Sequence, residues 1–455
     1  MRIRLSSLSA CWIALWMTIT VTLSFVQAAG AQTYSVLHTF TGGADGGTPY
    51  GGLTWDGGSN FYGTAAQGGY TGTLCVNGSF GNAHGCGTVY RLTRSGSNWS
   101  FTTLYEFLGG AVDGNFPEAA VTIGPNGSLY GTTWAGYDQD CRTGARIFGC
   151  GIVFNLTPPA NVCKTARCFW TENILHGFGD FMDGAGPGLG NLIFDRAGNI
   201  YGTNWNGRFS DGVVFELGPT DGSWTLERLL QIQIVQGQPY GLDNGLVADT
   251  SGNLYATSWA GPYGSPNCSE RHGCGTVIQF TPTQSSWDTN IIYAFQGQSD
   301  GLNPTGALVM DAAGNLYGTT ATGGAGGAGT VFELSPSNGG WTYHLIYSFS
   351  GGNSQSVCYP FLNQGCSGPW GTLLLDGSGN LYGTTYANGA FEAGNVFKLT
   401  QTNGTWTYTD LYDFTGGTDG ANPIGSLILD GNGNLFGTTA NGGSDGYGVA
   451  FELNP

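Results

Sequence analysis

The apolar residues of this chain fall in short runs of β-branched and aromatic side chains, each bounded by Gly, Asn, Pro or Ser. Such runs read as strands joined by turns. Four kinds of run recur in a fixed order. One reads Asp-x-x-Gly-Asn-Leu-Tyr-Gly-Thr-Thr, clearest at residues 311–320, 376–385 and 430–439 and looser at 56–65, 124–133, 195–204 and 249–258. The next reads Gly-Thr-Val-Phe-Glu-Leu, at 87–92, 151–156, 212–217, 275–280, 329–334, 394–399 and 448–453. A third starts at a tryptophan and ends Leu-Tyr-x-Phe, at 99–107, 170–178, 224–231, 287–295, 341–349 and 406–414. The fourth, Pro-x-Gly-x-Leu-x-x-Asp, stands at 49–56, 304–311, 369–376 and 423–430, and in degenerate form near Pro117, Pro187 and Pro239.

A repeat of this size cannot bury its apolar surface alone and has to stack on its neighbours. Four strands in each of seven units predict an all-β fold, a seven-bladed β-propeller of four-stranded blades. The tryptophan strand follows the others only six times, and the missing copy stands at the front, at residues 34–40. The N-terminal strand is therefore expected to complete the last blade and close the ring, pairing an edge that would otherwise stay open. With that strand outermost, the proline run is inner strand A and Asn-Leu-Tyr-Gly-Thr-Thr is B. Gly-Thr-Val-Phe-Glu-Leu is then C, and the tryptophan strand is D. A meets B through Asp-x-x-Gly-Asn, a tight turn in which Asp caps amides and Gly takes positive φ. The B–C and D–A connections then emerge together on the opposite face.

Composition adds compartment and charge. Charged residues make up only 9 % of the chain, but aromatics reach 13 %, so there is ample surface to bury and disorder is not the reading. Arg2 and Arg4, the apolar stretch 10–26 and Ala29-Gly30-Ala31 read as a signal peptide over 1–31, leaving a single domain over 32–455. No other segment is long and apolar enough to span a bilayer. The formal charge of −17 becomes −19 without the two leader arginines. An acidic surface argues against nucleic acid and anionic membrane as partners, since phosphate binding needs Lys and Arg. A secreted, extracellular monomer is expected, with the periplasm as the alternative compartment. The cysteines beyond the leader form tight couples: Cys75/Cys86, Cys141/Cys150, Cys163/Cys168, Cys268/Cys274 and Cys358/Cys366. In an exported chain these read as local disulfides, and the absence of CxxC spacing removes zinc. All couples but Cys163/Cys168 fall in B–C or D–A connections.

The tandem of Asp-x-x-Gly-Asn-Leu-Tyr-Gly-Thr-Thr, Gly-Thr-Val-Phe-Glu-Leu and Leu-Tyr-x-Phe-x-Gly-Gly-x-Asp-Gly-x-x-Pro resembles the GloVer-type tandem repeat of exported bacterial proteins. It is cleanest at 315–334 and 411–423 and covers nearly all of 34–455. Proteins of that kind often end in sorting or anchoring tails. Here the repeats run to Pro455, so surface attachment is not expected. The resemblance brings no activity with it. It supports the fold, as does a looser similarity to sensor and NHL-type propellers.

Candidate chemistry gathers on the looped face. Asp45, Asp113, Asp183, Asp300 and Asp419 each precede a glycine in a D–A loop. They read either as a ring of ligand-binding carboxylates, with calcium as a possible cofactor, or as caps of turn amides. Immediately after strand B the seven positions read Ala66, Trp134, Trp205, Trp259, Ala321, Tyr386 and Ala440. Small residues suit the same slot, so the fold does not demand the aromatics. Trp and Tyr stack on the faces of sugars and other flat ligands, while inter-blade packing is the structural alternative. No Ser/His/Asp arrangement, HExxH or phosphate-binding loop occurs, and no catalytic residue is assigned. His84 and His272 share a repeated loop context, and Glu216, Glu333 and Glu452 repeat along strand C as solvent-facing or capping groups. The expected function is a secreted binding or scaffold propeller whose looped face recognises an extracellular carbohydrate or protein. The alternatives are a polysaccharide hydrolase or lyase using carboxylates near the central opening, and a cell-surface structural or adhesion module.

Overall fold

The computed structural model describes residues 32–72, 75, 85–137, 142–143, 146–147, 149–159, 169–179, 184–206, 212–231, 241–242, 244–261, 268, 273–284, 286–297, 299–351 and 367–455. Seven antiparallel sheets follow one another around a central channel. Strands A to D are Thr54–Trp55, Asn60–Ala65, Thr88–Ser95 and Asn98–Glu106 in blade 1, and Thr122–Ile123, Leu129–Thr133, Ile152–Thr157 and Thr171–Gly177 in blade 2. Blade 3 uses Ile193–Phe194, Ile200–Asn206, Val213–Thr220 and Ser223–Gln231, and blade 4 Val247–Ala248, Leu254–Ser258, Thr276–Pro282 and Trp287–Ala294. Blade 5 uses Leu302–Met310, Leu316–Thr322, Gly327–Ser337 and Gly340–Ser350, and blade 6 Leu374–Leu375, Leu381–Thr385, Asn395–Thr402 and Thr405–Asp413. In blade 7, Ile428–Leu429, Leu435–Thr439 and Val449–Asn454 are joined by the N-terminal strand Thr33–Thr39. That strand pairs antiparallel with the C-terminal one, from Thr33 opposite Asn454 to Thr39 opposite Val449, so the ring closes as expected.

Each motif residue has a physical task. In the A–B turn of blade 5, Asp311 Oδ1 accepts the amides of Ala313 (2.8 Å) and Asn315 (2.9 Å). Its Oδ2 accepts the Asn315 side-chain amide (2.8 Å) and the Tyr317 hydroxyl (3.1 Å), and Gly314 sits at φ 86°. Asp249 and Asp376 repeat the arrangement. Partial burial alone would raise these three carboxyls. The donors, led by the Asn side chains, outweigh it and hold them below the ordinary aspartate value.

The glycine of Tyr-Gly-Thr-Thr lies under the strand C phenylalanine: a Cβ on Gly318 would be 2.5 Å from Phe332 Cζ, and on Gly437 2.7 Å from Phe451 Cζ. Blade 4 alters both partners, pairing Ala256 with Ile278. The extra methyl is matched by a smaller side chain. The first threonine of the motif ties blade to blade, because Thr64, Thr203, Thr257 and Thr438 donate to backbone carbonyls of the next blade, three of them in the segment just before its strand A. The core is accordingly a set of apolar layers between blades rather than one central mass, as where Phe349, Leu373, Leu381 and Phe397 pack together from blades 5 and 6.

Strand A is shorter than its motif. Outside blade 5 the strand itself spans only two residues, although in blade 3 the segment Ala185–Pro187 also pairs with strand B. The preceding Pro has no amide to give, and the Gly after it serves a different contact. A Cβ on Gly371 would lie 2.8 Å from Gly425 O, and one on Gly425 2.7 Å from Gly52 N. Backbones of adjacent blades touch there, at the hub.

Candidate functional site

The B–C and D–A connections are hydrogen-bonded to each other, so the looped face is real. Gly47 bridges Gln67, Ala421 bridges Asn441, and Gly114–Asn115 pairs with Ala135–Gly136. In four blades the residue before the proline anchors this face. Thr48, Phe116, Asn303 and Asn422 have φ between 54° and 58°, a conformation that non-glycine residues before proline avoid. Their amides explain it. They donate to Tyr447 O (2.8 Å), Cys86 O (3.0 Å), Cys274 O (3.0 Å) and Ala393 O (2.7 Å) of the preceding blade, at the threshold of its strand C.

The disulfides sit at these same junctions. Cys75–Cys86 and Cys268–Cys274 close B–C insertions with Cα separations of 5.0 and 5.1 Å. Cys150, whose carbonyl accepts the Gly186 amide at 3.0 Å, is also disulfide-bonded. The insertions are thus clamped where the next blade docks. Cys141, Cys163, Cys168, Cys358, Cys366, His84, His272 and the segment 1–31 lie outside the described residues.

The loop aspartates turn their oxygens inward to the turns. Asp45 accepts the Thr41 amide (3.1 Å) and contacts His38 Nε2 (3.0 Å). Asp300 accepts from Gln296 N (2.8 Å) and Tyr293 Oη (2.9 Å), and Asp419 from Thr415 N (2.8 Å) and Tyr412 Oη (3.0 Å). Asp113 accepts from Leu108 N (2.7 Å), Gly114 N (2.6 Å) and Tyr105 Oη (3.0 Å). Each carboxylate locks its loop to strand D. Burial raises Asp113 and Asp300 despite these donors; at Asp45 the His38 and Thr41 bonds overcome burial and lower it. Asp183 lies outside the described residues, and among those described no three His, Cys, Asp or Glu side chains converge as metal ligands.

The aromatic positions behave differently from one another. Trp134 and Trp205 are half-buried, while Trp259 is only 7 % exposed and backs onto Gly241. Trp134 lies against Gly186 of the next blade, where a Cβ would be 3.0 Å from its Nε1. Half-buried Tyr386 is 6.0 Å from the Trp370 ring, and the two pack with Ala321, Leu189 and Ile424. Those residues come from blades 3, 5, 6 and 7, so the cluster crosses the axis and covers the looped end of the channel. Tyr50 lines the same channel and lies near Tyr386. Burial, then the nearby Glu118 and Tyr386, push its phenol well above the ordinary tyrosine value. Glu118 is itself only 2 % exposed.

Tyr50, Glu118 and Trp370 were not singled out by sequence reasoning. They occupy the variable slot of Pro-x-Gly, and its variation is the signal that marks them. The strand C glutamates have partners: Glu216 accepts from Tyr201 Oη (3.1 Å), Glu333 from Ser335 Oγ (2.8 Å), and Glu452 pairs with Arg94 (3.6 Å).

No curated protein matches the sequence. Among solved structures the chain is similar to an ulvan lyase bound to GlcA(1-4)Rha3S, at TM-score 0.50 and 9% identity, covering 92% of this chain and 95% of that one. It is also similar to a protein of unknown function from Dyadobacter fermentans, at TM-score 0.45 and 10% identity, covering 92% and 97%. A third likeness is to a putative oxidoreductase (glucose dehydrogenase) from Thermus thermophilus, at TM-score 0.41 and 16% identity, covering 77% and 99%. At such identities the likeness is one of fold. The model of the Gloeobacter/Verrucomicrobia repeat family matches residues 263–455 of the chain.

Proposed function

We propose that this protein is an exported binding propeller that holds an extracellular carbohydrate on its looped face, at the rim of the channel. The observation that carries the reading is the gathering of Tyr50, Trp370 and Tyr386 over the axis. Half-buried Trp134 and Trp205 occupy the rim slot that Ala fills in blades 1, 5 and 7. Half-buried rings at the rim suit stacking on sugar faces, and buried Trp259 serves as support. The net charge favours neutral over polyanionic glycans. The disulfides and the repeat fit an oxidising, extracellular setting.

The test is a glycan array followed by titration of any hit with the double variant Trp134→Ala/Trp205→Ala and with Tyr386→Ala. Loss of about tenfold or more in affinity with unchanged melting supports the reading. Wild-type affinity in every variant refutes it. Cleavage is a second reading, favoured by a buried carboxyl, Glu118, beside the Tyr50 phenol. Release of new chain ends, abolished in Glu118→Gln, would establish it.

A further inference from the structure

At five of the blade interfaces strand D meets strand D of the next blade through one repeated pair of side chains, and at four of them the pair is two stacked rings. These are Tyr412 on Tyr34 (4.1 Å), Tyr293 on Tyr343 (4.6 Å), Tyr347 on Tyr408 (4.5 Å) and His38 on Phe101 (3.9 Å). Between blades 1 and 2 the ring of Tyr105 instead meets a carboxyl, Glu172. Tyr105 Oη lies 2.8 Å from Glu172 Oε2 and 3.0 Å from Asp113 Oδ2. A phenol has one proton to donate. Both contacts are satisfied together only when one carboxyl is protonated and donates back to the phenol oxygen.

We propose that this interface is a proton-dependent latch, closed while Glu172 and Asp113 share a proton around Tyr105 and loosened when both carboxyls ionise. The groups facing Glu172 from blade 1 are Tyr105 and Asp113, and its cross-strand partner in its own blade is Leu156. No cation among these offsets a second negative charge. Burial first, then Asp113, push Glu172 up to about 8, so it is the group that titrates near neutrality. The sign follows from a raised value. Its contribution is complete below the ordinary 4.5 and is lost as pH rises through about 8. Loosening reaches the looped face directly. Asp113 caps the loop through Leu108 N and Gly114 N, and its carbonyl accepts the Tyr137 amide at 2.9 Å. Phe116 O, three residues on, accepts the Trp134 amide at 2.9 Å.

The experiment is amide exchange of the segment 104–116 and thermal melting at several pH values between 6 and 9, on the mature wild type and on Glu172→Gln. The glutamine keeps a donor for Tyr105 but carries no charge. Wild type should lose protection there by about tenfold or more toward high pH, with a falling melting temperature. Glu172→Gln should stay flat. Equal pH dependence in the two proteins, or none in either, overturns the latch. If Glu172→Gln fails to fold, Glu172→Leu, which copies Leu226 at the same place in blade 3, is read by the same criteria.

Discussion

Blades 6 and 7 share their strands, their turn and their glycine–phenylalanine contact, but blade 6 is one continuous stretch of chain and blade 7 is assembled from both ends. In blade 6 strands C and D are joined by a tight hairpin, with Thr402 opposite Thr405. In blade 7 the same two strands are held without a covalent link, in a register from Thr33–Asn454 to Thr39–Val449. Tyr34 stacks on Tyr412 and donates its hydroxyl to Asp419 O, as Tyr343 does with Tyr293 and Asp300 O between blades 4 and 5. Around the break a cation is added. Arg94 reaches from blade 1 to Asp430 (3.3 Å) and Glu452 (3.6 Å), both from the chain's C-terminal end, and stands 5.7 Å over Trp99. The ion pairs His38–Asp45, Arg94–Asp430 and Arg94–Glu452 lie in blade 7 or at its contact with blade 1. Where the chain itself cannot hold neighbours together, side chains from its two ends take over.

The largest effect should come from deleting residues 32–40. This removes strand D of blade 7 with Phe40, which is fully buried, and leaves strand C as an open edge. Cooperative melting should disappear and the protein should aggregate on size exclusion.

Next, Gly437→Ala and Gly383→Ala should destabilise by about 1–3 kcal/mol each, and equally, because Phe451 and Phe397 cover them in the same way. Adding Phe397→Ile to Gly383→Ala, after the Ala256–Ile278 pair of blade 4, should recover part of the loss in denaturant melts.

Acid is a third lever. Asp249, Asp311 and Asp376 lie below their ordinary 3.8, so the stability they add is present above that pH and fades as pH falls through their lower folded values. Asp376→Asn in blade 6 should flatten the acid limb of a melting-temperature profile.

The smallest effect belongs to Arg94→Ala, about 1 kcal/mol or less since the side chain is one-third exposed. It should shrink further in high salt, and no matching change in blade 6 should show it.

The fold was legible because nearly every motif residue has one mechanical duty repeated in each blade. The Asp-x-x-Gly-Asn turn, the glycine under Phe332 and the displaced strand at 34–40 could be read with no partner in view. The site was less legible for the same reason. Repeats draw the eye to what recurs, and the loop aspartates that recur are occupied with turn amides. The residues that set the channel mouth apart, Tyr50, Glu118 and Trp370, fill a slot where the motif carries no consensus. Glu172 was hidden likewise. Its oddity appears only when strand D of one blade is laid against strand D of the next. The pre-proline residues could not be found at all, since a positive φ at Thr48 or Phe116 is imposed by the blade beside it.

The assembly of one blade from both chain ends is tested most directly by the double variant Thr33→Cys/Asn454→Cys, which alters exposed residues that face each other across the closing strands. Under mild oxidation, peptide mapping of the monomer should recover the N- and C-terminal peptides joined by a disulfide between these two positions, with a raised melting temperature. Recovery of that bond only in covalent dimers, or of two free thiols in folded monomer, would contradict the closed seven-bladed wheel.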